Sequence, residues 1–215
     1  MSKVATIAEN ESLLLTRLEL GPYGTNAYIV VCRQTGESVL VDAPAEAALI
    51  QEQLQGTNPK YILMTHGHFD HTGALAALKR SLAVPVAAHI ADSAALPVKV
   101  DLHLQDGAVI PCGKLTLAVM HTPGHTAGSI CFRMGAYLLA GDTIFPGGPG
   151  RTESAADFKQ LLQSIAQKIM TLPGETVILP GHGPSAVLKE EKALFDRFMS
   201  RPHKTDLCGS VTWLD

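Results

Sequence analysis

The chain has 215 residues, 46% of them apolar and 17% charged, with a formal net charge of −3. That composition suits one domain over residues 1–215 with a sizeable buried core, and excludes a disordered or fibrous chain. The slight acidic balance, without any run of Lys or Arg, argues against nucleic acid as a partner.

The first residues, MSKVATIAENESLLLTRLEL, carry Glu9, Glu11 and Arg17 between every apolar run, so they do not read as a secretory leader. No apolar stretch reaches the ~18 residues that a membrane-crossing helix needs. Cys32, Cys112, Cys131 and Cys208 are scattered without a CxxC pair, which fits reduced thiols and a cytoplasmic location.

In chain order, LLLTRLEL (13–20) and NAYIVVCR (26–33) read as strands around the turn GPYGT, and SVLVDA (38–43) as a third. AEAALIQEQLQG (45–56) reads as a helix with Pro44 at its first position and Gly56 at its end. KYILMT (60–65) is a buried strand, and TGALAALKRSL (72–82) a helix with Leu75, Leu78 and Leu82 on one face. Strands follow at VPVAAH (84–89), KLTLAVMHT (114–122), SICFRM (129–134) and AYLLAG (136–141), the last two as a hairpin about Gly135. The Gly/Pro-rich loop FPGGPGRTES (145–154) precedes a helix over 155–172, capped by Ser154 with Asp157 three residues on. TVILP (176–180) is a further buried strand and LKEEKALFDRFMS (188–200) a closing helix.

Polar residues fall at the ends of these strands. LMTHGHFDHTG (63–73) places His66, His68, Asp70 and His71 in one loop after a buried strand. His66 and His68, two apart in extended chain, project to the same side and can share one cation. Asp70 and His71 enter a turn and can point elsewhere, so one loop can serve two cations. TPGHTAGS supplies His125, LLAGDTIF supplies Asp142 and ILPGHGP supplies His182, each in a sharp turn at a strand end. A lone histidine in such a place usually caps or packs. Seven such groups at turn junctions, four of them in HxHxDH, make coincidence a poor account. Imidazole and carboxylate ligands suit Zn, Fe or Mn, and the lack of thiolates argues against a purely structural zinc site. His89, His103 and His203 read as structural or exposed. His121 is a candidate hydrogen-bond partner for a ligand, and Asp42 either caps the following helix or bonds to a ligand.

The order THGHFDH, TPGHT, GDT, PGHG resembles the metallo-β-lactamase superfamily across nearly the whole chain, and most of all its short glyoxalase II-like (hydroxyacylglutathione hydrolase-like) branch. The resemblance implies an α/β (α+β) fold, a four-layer αβ/βα sandwich of two mixed β-sheets flanked by helices. It implies two divalent metal ions, the first on His66, His68 and His125, the second on Asp70, His71 and His182, with Asp142 bridging both. The family's early aspartate falls on Asp42. The chain departs from full-length glyoxalase II in having one helix and a short tail after His182. In the loop after GDT, Arg151 and Glu153 stand near positions where that family has a lysine and a tyrosine. Arg151 either receives a substrate carboxylate or pins its own loop.

The activity so implied is hydrolysis of a small acyl-thioester, such as an S-lactoyl thiol, by a metal-bridged hydroxide positioned through Asp70 and Asp142. A thioester suits a site without an obvious acid, because a thiolate leaves unprotonated. Three alternatives stand beside it. A persulfide dioxygenase with one Fe on His66, His125 and Asp142 carries GRTD where this chain reads GRTE (150–153). A lactonase uses the same attack, and a non-enzymatic metal-binding or redox module uses the same ligands.

Overall fold

The computed structural model describes residues 2–215. Seven strands form the first sheet in sequential order: β1 (Lys3–Glu9), β2 (Leu13–Leu20), β3 (Thr25–Cys32), β4 (Glu37–Val41), β5 (Asn58–Leu63), β6 (Val86–His89) and β7 (Leu102–Leu104). The first four pair antiparallel through short turns. From β4 to β7 the pairing is parallel, so the chain must cross over the sheet between strands. Helix α1 (Ala47–Gln53) makes the crossover from β4 to β5, and α2 (Leu75–Leu82) that from β5 to β6.

The second sheet has six strands, β8 (Val109–Cys112), β9 (Leu115–His121), β10 (Ile130–Met134), β11 (Tyr137–Gly141), β14 (Val177–Pro180) and β15 (Ala186–Val187), in the order β15-β14-β11-β10-β9-β8. A two-stranded ribbon, β12 (Ile144–Phe145) with β13 (Gly148–Pro149), stands apart from it. The parallel β11–β14 pair is joined through α3 (Ala155–Ser164), which runs into a π-helical turn at Ile165–Ile169. Helix α4 (Leu188–Met199) follows β15.

The alternation of each strand decides which layer its side chains enter. In β3, Tyr28, Val30 and Cys32 face the second sheet, while Ala27, Ile29 and Val31 face α1 and α2. All eight residues of β3 are buried, as both faces of that strand are covered. On the other sheet, Ile130, Phe132 and Leu139 point into the same central core, whereas Leu138 and Ala140 pack on Phe158, Leu161, Phe195 and Phe198 of α3 and α4. The result is the expected four-layer sandwich of two mixed sheets with helices outside. Among the described residues, no helix is long and apolar enough to cross a membrane.

Several boundaries differ from the sequence reading. The chain around 42–46 does not enter α1 at Pro44: Asp42 and Glu46 both take left-handed backbone, at φ 60° and 52°, and the helix starts at Ala47. The helix expected from Thr72 begins at Leu75, because Phe69–His71 form a separate 3-10 turn. Strands β1, β7, β8 and β15 had no counterpart in the sequence reading. The Gly/Pro loop over 145–154 contains the β12–β13 ribbon, and the long helix over 155–172 splits into α3 and the π-helical turn. Ser154 caps α3 as expected, its hydroxyl accepting from the Asp157 amide at 3.2 Å.

Candidate metal centre

Both sheets deliver their polar residues to one edge of the sandwich. The turn after β5 holds His66 and His68, and the 3-10 turn Phe69–His71 carries Asp70 and His71. From the second sheet, His125 comes from the β9–β10 turn, Asp142 follows β11 and His182 follows β14. The sheets are stitched together at this edge: the Ile130 amide donates to Thr65 O at 2.9 Å, and the Asn26 amide to Gly181 O at 2.7 Å. All seven groups singled out in the sequence therefore converge. His66 and His71 are buried, whereas His68 is exposed.

Their donor atoms fall into three overlapping sets, His66/His68/His125, His66/His71/Asp142 and Asp70/His71/His182, with the atoms of each set within 4.8 Å of one another. Asp142 lies between the outer two. Its Oδ1 is 3.3 Å from His71 Nε2, and its Oδ2 is 3.7 Å from His125 Nε2 and 3.6 Å from His182 Nε2. Asp70 Oδ2 is 3.1 Å from His182 Nε2 and accepts from Thr25 Oγ1 at 3.3 Å.

The outward hydrogen bonds fix which ring nitrogen faces inward. His125 Nδ1 donates to Arg151 O at 2.7 Å, and His182 Nδ1 to Tyr23 O at 3.2 Å. His71 Nδ1 donates to Asp42 Oδ2 at 2.8 Å. Thr65 Oγ1 gives its proton to Asp42 Oδ2 at 2.7 Å, so at 3.0 Å it can only accept from His66 Nδ1. Every one of these rings thus turns Nε2 toward the shared space. His66 Nε2, His71 Nε2, His125 Nε2 and Asp142 Oδ1 are buried without any hydrogen-bond partner. Buried polar atoms are rarely left so, and four that converge are the arrangement a cation satisfies. The donor set fits a metal.

Electrostatics agree. Burial, reinforced by the neighbouring His71 ring, pushes His66 well below the ordinary histidine range, and burial also lowers His125. Both rings are neutral at pH 7, the form in which an imidazole can take a cation. Burial opposes a proton on His71 as well, but Asp42 and Asp142 outweigh it and raise the ring to about 10 when no cation is bound. Burial would raise Asp142, yet the His71 ring 3.3 Å from its Oδ1, with His66 and His125 beside it, holds its carboxyl well below the usual range.

Asp42 is the keystone of this edge. Its left-handed φ of 60°, which asparagine and aspartate tolerate best, aims the carboxylate at Thr65 and His71. It orients one ring of each outer set, directly for His71 and through the Thr65 hydroxyl for His66. His121 behaves otherwise than expected. Its ring bonds to Ala127 O at 3.0 Å and stacks on His89 at 3.9 Å, because β9 ends with that side chain turned to the outer surface and away from the ligands. Arg151 contacts the centre through its carbonyl, and its guanidinium is paired with Glu153.

Two contributors were not singled out in the sequence. Asp92, buried in the 3-10 turn Ile90–Ala95, accepts from the Gly67 amide at 2.8 Å, the Gly128 amide at 2.7 Å and Thr126 Oγ1 at 2.7 Å. It clips the His66/His68 turn to the His125 turn. Gly181 is the other: a β-carbon there would collide with Asp142 Oδ1 and the His71 ring, so only glycine lets β14 end this close to the ligands.

The sequence profile of the Metallo-beta-lactamase superfamily matches residues 20–182, a span that runs from the end of β2 through His182. The chain belongs to the metallo-β-lactamase superfamily. That superfamily is one of metallo-hydrolases, and the chain carries a His/Asp cluster able to bind metal. The chain is 37% identical over 165 residues to a hydroxyacylglutathione hydrolase of Anaeromyxobacter dehalogenans, covering 76% of this chain and 64% of that relative. The crystal structure of the BLEG-1 B3 metallo-β-lactamase superposes with a TM-score of 0.74 at 32% identity, covering 83% of this chain and 96% of that one. TTHA1623 in a di-iron-bound form gives a TM-score of 0.70 at 33% identity, covering 81% of this chain and 96% of that one. The chain therefore spans less than two thirds of the first relative's length, but nearly all of the two solved structures.

Proposed function

We propose that this protein hydrolyses small acyl-thioesters, releasing an acid and a thiol, at a two-cation centre. The supporting observation is the set of four buried, partnerless donor atoms with Asp142 set between two clusters. His66, His68 and His125 would hold one cation, Asp70, His71 and His182 the other, with Asp142 reaching both. Cations bound there lower the pKa of water toward neutrality and polarise an acyl oxygen.

The chain's own part is to keep its donors in one protonation state and one orientation. Asp42 holds Nδ1 of His71 and, through Thr65, Nδ1 of His66, so that each Nε2 is the atom presented. Thr25 orients Asp70 at its Oδ2, and the low position of Asp142 keeps it ionised through the working pH range. A thiolate departs without needing a proton, which suits a centre whose titratable groups are taken up as donors and their supports. The relative named hydroxyacylglutathione hydrolase supports a thioester, and the incomplete span leaves its thiol open.

Metal analysis of the purified chain, with assays on S-lactoylglutathione, glutathione persulfide and a β-lactam, tests this reading. Two equivalents of metal and thiol release are expected. One iron with oxygen uptake on the persulfide overturns it, as does β-lactam opening without thiol release.

A further inference from the structure

We infer that an apolar cavity beside Asp70 is a substrate subsite, and that it takes a branched-aliphatic or single-ring arm of about five or six carbons. The inference rests on the thioesterase reading for what the arm is attached to. The cavity, open to solvent on one side, holds about 170 Å³ and is walled by Leu20, Pro22, Tyr23, Pro44 and Phe69, with Asp70 on its border. An apolar cavity of ~150 Å³ accommodates one benzene molecule, so the space is that of one small arm.

Two of the walls are aromatic rings that the fold leaves outside. Tyr23 is 59% exposed and Phe69 68%, yet they meet edge to face with centroids 5.3 Å apart. Rings kept for the core would be covered; a preassembled exposed pair is what an apolar ligand completes. Both are indexed to the metal centre by the backbone. Phe69 lies between His68 and Asp70 in the 3-10 turn, and the Tyr23 carbonyl accepts from His182 Nδ1 at 3.2 Å. A group seated against them is held within one residue of two ligand positions.

Charge points the same way. Arg151, the basic residue of the loop after Asp142, is already matched by Glu153, and Arg17 donates to Gly183 O at 3.2 Å. Of the residues that line the cavity only Asp70 is charged, so an anionic thiol would meet no cationic side chain there, whereas an apolar arm needs no partner.

The test is direct binding, which does not depend on turnover. The zinc-loaded full chain is titrated with straight-chain carboxylates from acetate to hexanoate and with the matching alkanethiols, alongside kcat/KM for the corresponding thioesters. One series is expected to tighten by about fourfold per methylene until the cavity is filled, and which series does so identifies the half of the substrate that enters it. Phe69→Ala and Tyr23→Ala, both at exposed positions, should retain the native circular dichroism and lose that gradient. Two flat series, or a gradient that survives both substitutions, overturns the subsite even where thioesters are hydrolysed. A gradient without any thioester turnover upholds the subsite and sinks the thioesterase reading alone.

Discussion

Nδ1 of His71 donates to Oδ2 of Asp42 across 2.8 Å, with both side chains almost wholly buried. The same carboxylate oxygen accepts the Thr65 hydroxyl, which in turn holds His66. One aspartate thus sets a ring in each cluster. Asp42→Asn isolates that role, because asparagine also tolerates the left-handed backbone and nearly matches the shape. Its amide can offer one oxygen where two were used. Metal affinity is expected to fall about 10- to 100-fold at both positions, read by competition with a chelator. Loss confined to one position, or none, would remove Asp42 from this role.

The pH dependence of the metal-stripped chain follows from the same pair. A histidine in the unfolded chain titrates near 6.5, while folded His71 is raised to about 10. The folded state therefore binds the proton more tightly. The stabilisation is fully present below the unfolded value and is lost as pH rises through about 10. Burial places His66 on the opposite course: it resists protonation, and that costs stability as pH falls below about 6.5. Proton NMR of the stripped protein should show one ring titrating near 10 and another still neutral at pH 6. A His71 ring that titrates near 6.5 would contradict the first half.

Asp92 offers a sharper separation of fold from site. Replacing it with alanine strands the Gly67 and Gly128 amides and leaves the Thr126 hydroxyl with Ser129 alone, at a cost of about 3 kcal/mol in all. For a chain of this size that lowers Tm by roughly 6–12 °C. Because the clip joins the His66/His68 turn to the His125 turn, metal retention in that cluster should fall more than in the cluster of Asp70, His71 and His182. Site-resolved metal titration reads the difference. Equal loss in both clusters would reduce Asp92 to a general support of the fold.

These residues also show how far the sequence could be read. His66, His68, Asp70, His71, His125, Asp142 and His182 were legible because residue type and turn context carry the chemistry without any coordinates. Asp92 was not, since a single carboxylate in IADSAA has no spacing to mark it, and its partners lie 25 to 36 residues away. Strand β1 was missed because KVATIAE lies at the sheet edge with no fully buried residue, and only Ile7 and Ala8 lean on the core, too few to set a pattern. The start of α1 was misplaced because residues 42–46 are shaped by the site, where Asp42 must turn left-handed to reach Thr65 and His71. Local helix signals at Pro44 could not register that demand.

The short C-terminal tail anchors the loop beside the centre. Trp213 is fully buried, edge-on to Phe195 and Phe198 with centroids 5.3 and 5.5 Å away. Its indole nitrogen donates to Glu191 Oε2 at 2.8 Å, the oxygen that also accepts the Gly147 amide at 3.0 Å. The Trp213 amide returns to Gly147 O at 2.8 Å, and Thr152 and Gly209 exchange backbone hydrogen bonds at 3.2 and 3.0 Å. Arg151, next to Thr152, holds His125 through its carbonyl. Trp213→Ala should therefore cost about 3–5 kcal/mol and free the 145–154 loop. Trp213→Phe keeps most of the packing and loses the Glu191 bond, so its effect should be smaller and centred on Gly147. Hydrogen exchange and limited proteolysis across 145–154, with chelator competition for the His125 cluster, measure both variants. A loop that stays protected in Trp213→Ala, with metal affinity unchanged, would show that the tail covers α4 without bearing on the centre.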